Sequence, residues 1–265
     1  KNPYNGYQIR MKKLLINGKL GDKSLILAYD HGFEHKADFT IPESSNPDYV
    51  LSIAEKAGIP LVMHKGTYIR YGQNHPDVPM IIKLNGKTEL FYDNRPAQSG
   101  LNCTVKEAIS ICPGLVGVGF SLYVGSSVEP LLLEQLADFV REAREYQVPI
   151  IVWSYVRQHG PRLKDKEGLM ENVRYAARVA FENGADMVKL YYPENVEGLK
   201  EVKHYVPGIF CLIAGGSKKD TVEIAYKSAH DIATYLDGMA IGRNIFQDSK
   251  PINKAPIITR TLIKF

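Results

Sequence analysis

Lys189 lies in Ala185-Asp186-Met187-Val188-Lys189-Leu190-Tyr191-Tyr192, a run that otherwise reads as a buried strand. An ammonium among aliphatic side chains is costly unless it is paired, and burial lowers its pKa. A lysine held neutral near neutral pH is a nucleophile that forms Schiff bases with carbonyls. The same residue also fits a strand end with its charged head in water. Other reactive types collect at the ends of other apolar runs. Asp30 and His31 follow one, and Trp153, Ser154 and Tyr155 close another.

Two further strand ends carry Gly215-Gly216-Ser217-Lys218 and Gly242-Arg243-Asn244. Glycine lets backbone N–H groups approach anionic oxygens, and a following helix adds a favourable dipole. Arg243 adds a forked, charge-assisted contact, so the pair reads as a phosphate site. Ordinary strand-to-helix turns also favour glycine and are the competing reading. His31 and His35 have a spacing that suits a metal only on a helix. Gly32 and the strand-end position indicate a loop, and no Cys or second His pair completes a set, so no metal is expected. His64, His75, His159, His204 and His230 are scattered and read as surface or packing residues. The charged run at 162–167 reads as a solvated loop, with Arg157 and Lys164 able to rim an anionic site.

The elements that must position these groups alternate along the chain. Strands are expected at 24–30, 60–64, 79–84, 115–122, 148–155, 185–191, 208–214 and 238–241. Helices are expected at 47–58, 104–111, 127–146, 168–183, 196–205 and 218–235, with a short one from Asn244. The helix at 127–146 is assigned Ser127 as N-cap and a stripe of Leu133, Leu136, Phe139, Val140 and Ala143. Residues 65–78 read as a polar loop without structure of its own. Eight aliphatic strands separated by helices, with no linker, mean a parallel sheet covered on its outside. The size suits an α/β fold of the (β/α)8 TIM barrel type, with residues 1–23 as a short N-terminal helical extension and 1–265 as a single domain. An open doubly wound sheet competes, but no G-x-G-x-x-G turn follows the first strand.

Barrels place chemistry at the C-terminal ends of their strands, and alternation decides which side chains reach it. Asp30 shares a face with Ile26 and Ala28, Tyr155 with Trp153 and Ile151, and Lys189 with Met187. If those faces point to the axis, Asp30, Trp153, Tyr155 and Lys189 converge at one mouth.

The 265 residues carry a net charge of +4 without a basic block, which favours an anionic small molecule over nucleic acid or a membrane surface. Cys103, Cys112 and Cys211 lack metal spacing and read as apolar fillers in a reducing compartment. No apolar run approaches the length of a membrane span, and the expected location is the cytoplasm.

Several motifs, taken together and in order, resemble those of archaeal-type class I fructose-bisphosphate aldolases. They are Tyr29-Asp30-His31-Gly32 with Glu34-His35, Lys83-Leu84-Asn85-Gly86-Lys87-Thr88, Trp153-Ser154-Tyr155, Met187-Val188-Lys189, Gly215-Gly216-Ser217-Lys218 and Gly242-Arg243-Asn244-Ile245-Phe246-Gln247. Val156 stands where the pattern expects proline, and Ala214 where it expects serine. The resemblance implies a Schiff-base lysine at Lys189, a tyrosine acid/base at Tyr155 and an aspartate at Asp30, with Trp153 walling the site. It implies a substrate phosphate on Gly215, Gly216, Ser217, Gly242 and Arg243, with His31 as a further contact. No cofactor or metal is implied, and ring-like homo-oligomers are, including pentamers paired into decamers. Sister enzymes on this barrel include a transaldolase-like synthase and a thiolase. These, and a non-catalytic sugar-phosphate binder, are the alternatives.

Overall fold

The computed structural model describes residues 5–19, 22–35, 39–92, 97–157, 166–192, 196–215, 232 and 234–263. Eight parallel strands close into a barrel. They are β1 (Ser24–Ala28), β2 (Leu61–His64), β3 (Met80–Lys83), β4 (Leu115–Val124), β5 (Ile150–Val156), β6 (Met187–Leu190), β7 (Phe210–Ala214) and β8 (Gly238–Ile241). Neighbours follow chain order, and β8 returns to β1 with Ser24 opposite Gly238. A small antiparallel ribbon, Asn85–Gly86 with Gly100–Leu101, lies beyond β3.

Every residue of β1, β3, β4, β6 and β8 is buried, as expected of strands covered on both faces. Alternation divides them into two cores. Ile26, Ala28, Val62, Ile81, Ile151, Trp153, Met187, Leu212 and Ala240 form the core inside the barrel. Leu25, Leu27, Tyr29, Val152, Val188 and Leu190 join the core between strands and helices. The face assignment made from parity therefore holds.

The helices are α1 (Asn5–Leu14), α2 (His31–Glu34), α3 (Pro47–Ala57), α4 (Lys65–Tyr71), α5 (Val105–Ile111), α6 (Glu129–Glu145), α7 (Lys166–Glu182), α8 (Val196–Tyr205), α9 (Arg243–Phe246) and α10 (Pro251–Ile263). Asn46 caps α3 by accepting from the Asp48 N–H at 3.1 Å, and Thr104 caps α5 by accepting from Glu107 at 3.1 Å. Met11 and Leu14 of α1, with Leu15, join the inner core, so the N-terminal extension closes the lower end of the barrel.

Three expectations need correction. The segment read as a loop at 65–78 contains α4 and a 3-10 turn, Gly72–Asn74. Its short length and lone buried residue, Tyr68, leave too little apolar periodicity to read. The Tyr68 ring occupies the space a Cβ at position 72 would need, only 2.2 Å away. Helix α6 begins at Glu129 without a side-chain cap rather than being capped by Ser127. His31 opens a helical turn, not a loop. Most of the helix expected at 218–235 lies outside the described residues.

Candidate active site

The upper strand ends carry the charged groups. Asp30 follows β1, and the turn α2 brings Glu34 back beside it. Lys83, the last residue of β3, is fully buried. Its Nζ donates to Asp30 Oδ2 at 3.1 Å and to Glu34 Oε1 at 2.8 Å. His64 Nε2 lies 3.5 Å from Glu34 Oε1, and the Nδ1 of His64 lies 3.0 Å from Asn102 Nδ2. Desolvation alone would raise the pKa of Asp30. The Lys83 and Lys189 ammoniums outweigh it and hold the carboxyl far below its usual range. Desolvation works against Lys83 too, but Glu34 and Asp30 keep it charged with a raised pKa.

Lys189 stands opposite Trp153 in the β5–β6 register. It is 8 % exposed and, among the described residues, its ammonium makes no hydrogen bond or ion pair. Burial lowers its pKa to about 8; Asp30 and Glu34 oppose the shift, while Lys83 and Arg243 add to it. Two amines thus share one indole. Lys83 Nζ is 4.7 Å and Lys189 Nζ 5.3 Å from the Trp153 ring centroid. Gly119 of β4 makes this possible, because a Cβ there would stand 2.5 Å from the indole and 3.1 Å from the Lys83 stem.

Tyr155, two residues beyond Trp153, stacks on Tyr191 with ring centroids 4.2 Å apart. Burial, reinforced by Tyr191 and Asp30, raises its pKa well above the ordinary phenol value. The Arg157 guanidinium lies 5.0 Å from the Tyr191 ring and 5.8 Å from the Tyr123 ring, and donates to the Tyr191 hydroxyl. On the other side of the mouth, Gly215 and Gly242 are joined through β8 and α9. Asn244 Nδ2 donates to the Gly215 carbonyl at 2.9 Å, and a Cβ at position 242 would press within 2.4 Å of the Ala28 carbonyl. Arg243 is close enough to act on the Lys189 charge. Gly216 and Ser217 lie outside the described residues, as do Lys164, His159 and His230.

Asp30, Trp153 and Lys189 are therefore brought together at one end of the barrel, with Tyr155 one strand step above. His31 is buried, with its ring 5.0 Å from Phe246 and 4.9 Å from Phe39. His35 faces Glu89 at 3.4 Å, and the described residues contain no metal-ligating cluster. Lys83, Glu34 and His64 belong to the site although the sequence by itself assigns them no role there. Lys83 carries the signal that singled out Lys189, an ammonium closing an aliphatic strand and sharing a face with Ile81.

A closed parallel barrel whose strand ends hold a buried amine without a counter-ion defines an enzyme built for covalent capture of carbonyls. The comparisons narrow the class. Residues 24–248 match the model of the DeoC/LacD family aldolases, and the chain belongs to that family. A class 1 fructose-bisphosphate aldolase of Thermoproteus tenax is 41% identical over 233 residues, covering 85% of this chain and 84% of that protein. A fructose-bisphosphate aldolase/6-deoxy-5-ketofructose 1-phosphate synthase of Methanocaldococcus jannaschii is 30% identical, covering 87% of this chain and 77% of that protein. A solved archaeal fructose 1,6-bisphosphate aldolase superposes with a TM-score of 0.86 at 33% identity, over 98% of this chain and 100% of that one. Another, at 32% identity and a TM-score of 0.86, covers 97% of this chain and 99% of that one. It has its catalytic Lys covalently bound to the carbinolamine intermediate of the substrate.

Proposed function

We propose that this chain is a class I aldolase that reversibly cleaves fructose 1,6-bisphosphate to dihydroxyacetone phosphate and glyceraldehyde 3-phosphate through a Schiff base on Lys189. One observation carries the reading. Lys83 takes both Asp30 and Glu34 of the mouth, and the Lys189 amine makes no ion pair among the described residues. A pKa near 8 leaves an appreciable neutral fraction at neutral pH, and only the neutral amine attacks a carbonyl.

Lys189 Nζ adds to the ketone carbon to give a carbinolamine. The Tyr155 phenol donates its proton to the departing hydroxyl, which leaves as water, and a protonated imine remains. Asp30, ionised by its contact with Lys83, stabilises that cation. The iminium draws electrons from the neighbouring carbon–carbon bond. As that bond breaks, the Tyr155 phenolate takes the proton of the hydroxyl that becomes the aldehyde. A phenol with a raised pKa makes a strong base once deprotonated, which suits this second task. The enamine left on Lys189 is protonated at carbon and hydrolysed, releasing dihydroxyacetone phosphate. Gly215, Gly216, Ser217, Gly242 and Arg243 hold the phosphate of that half, and Trp153 walls the site. No step calls for a metal.

The test is mass spectrometry of protein treated with borohydride and fructose 1,6-bisphosphate. The parent chain gains one reduced triose- or hexose-phosphate adduct on Lys189 and releases glyceraldehyde 3-phosphate. Lys189→Met gains none. Adduct formation by that variant would move the chemistry elsewhere. An adduct without release of glyceraldehyde 3-phosphate would replace the aldolase by a synthase of the same chemistry.

A further inference from the structure

We propose that Lys83 is a positioning residue for the reaction: it takes up both buried carboxylates of the mouth and so denies Lys189 a counter-ion. This deepens the function proposed above and concerns the same site, but its test does not require substrate.

Two amines and two carboxylates occupy one buried space, so two simple ion pairs are available. The structure does not make them. Lys83 bonds Asp30 at 3.1 Å and Glu34 at 2.8 Å, whereas Lys189 has no acid within salt-bridge distance among the described residues. Sequence and local geometry enforce this division. Lys83 closes β3, and α2 folds Glu34 back over it. His64, in register with Lys83 on β2, has Nε2 3.5 Å from the same Glu34 oxygen and Nδ1 3.0 Å from Asn102 Nδ2. Gly119, in register with Lys83 on β4, leaves its stem room to lie against Trp153.

The consequence is electrostatic. A carboxylate next to an amine favours the ammonium, and a nearby cation disfavours it. Asp30 and Glu34 raise the basicity of Lys189, and Lys83 lowers it. With Lys83 in place, Asp30 sits near the nucleophile without locking it as an ammonium. Once the iminium forms, its cation competes with Lys83 for the same carboxylate. The Lys83 pairing therefore leaves Asp30 ionised for that later step while sparing the free amine.

The readout is the rate of reductive methylation of Lys189 by formaldehyde and cyanoborohydride across pH, followed at that residue by mass spectrometry. It reports the neutral amine without reference to any sugar, so failure of the aldolase reading and failure of this one separate. In the parent chain the rate rises through about pH 8. Lys83→Met removes the cation and moves the midpoint up by roughly one unit or more, a tenfold loss of neutral amine on the acid side. Glu34→Gln removes a carboxylate, keeps the Lys83–Asp30 pair and moves the midpoint down. Shifts of opposite sign mark an electrostatic role, since loosened packing would not move the two variants in opposite directions. Fructose bisphosphate cleavage by Lys83→Met recovers at alkaline pH with the same displaced profile. Should Lys83→Met not fold, Lys83→Met with Glu34→Gln removes one charge of each sign and still raises the midpoint, by less. An unmoved midpoint in the Lys83 variant that folds, or a downward one, overturns the proposal.

Discussion

Strand β6 and the residue before it join two unlike regions. Asp186 stands just below the strand, and Lys189 belongs to the mouth above. Both are buried and both are charged residue types. At the base, Asp186 accepts from the Tyr7 hydroxyl at 2.7 Å, from Arg144 Nη1 at 2.8 and 3.0 Å, and from the Ile150 N–H at 2.8 Å. Arg144 also donates to the Gly184 carbonyl at 2.8 Å, tying the helix layer to the end of α7. At the mouth, Lys189 receives nothing comparable. The difference teaches how one fold uses burial twice. A buried charge with all its partners anchors α1, α6 and β6 together. A buried amine without a counter-ion loses proton affinity and becomes reactive.

Four measurements would break or sharpen that contrast. The largest effect belongs to the mouth. Tyr155→Phe should lower cleavage about 10²- to 10⁴-fold, the range of a lost general acid/base. The imine should still form, though slowly, and remain trappable by borohydride; unchanged turnover would take the tyrosine out of the reaction. At the base, Asp186→Ala should cost about 2–3 kcal/mol of unfolding free energy, because it strips a carboxylate from several donors. Adduct formation per folded molecule should stay near the parent value. A loss of chemistry larger than the loss of stability would mean that the two ends are not separable.

Next comes pH. With a folded pKa of about 8, neutral Lys189 and the rate of imine formation should both rise about fivefold from pH 7 to 8. The sign extends to stability. The folded amine sheds its proton near 8 and the unfolded one near 10.5, so the unfolded state binds more protons between them. The contribution of Lys189 to stability therefore becomes more favourable as pH rises through that window, and chemical denaturation at several pH values measures it. A rate that falls from pH 7 to 8 would contradict a lowered lysine. The smallest effect is Tyr7→Phe, which removes one donor from Asp186 while Arg144 and Ile150 remain. A loss of about 1 kcal/mol is expected in the same denaturation assay. A much larger one would mean that the α1 contact carries more of the base than its single hydroxyl bond accounts for.

Much of this is legible in the sequence. The aliphatic runs at β1 and β3 through β6 could be placed because buried parallel strands need near-continuous apolar sequence. Parity then put Trp153 and Lys189 on the axis, because side chains alternate strictly along a strand. The short helix α4 was not legible, since one buried tyrosine makes no periodic pattern. The role of Glu34 is not legible for a related reason. It reaches Lys83 only because α2 turns the chain back, a contact between residues 49 apart in sequence.

The order of residues by itself determined which faces are apolar, where strands end and which reactive types stand there, since alternation and helical period are local properties of the chain. Only the closed barrel decided how the charges are shared. Lys83 and Lys189 have much the same sequence context, each an ammonium at the end of an aliphatic strand. Their difference comes from which carboxylates the neighbouring strands and turns deliver, and electrostatic energy in a desolvated space depends on distances between residues far apart along the chain.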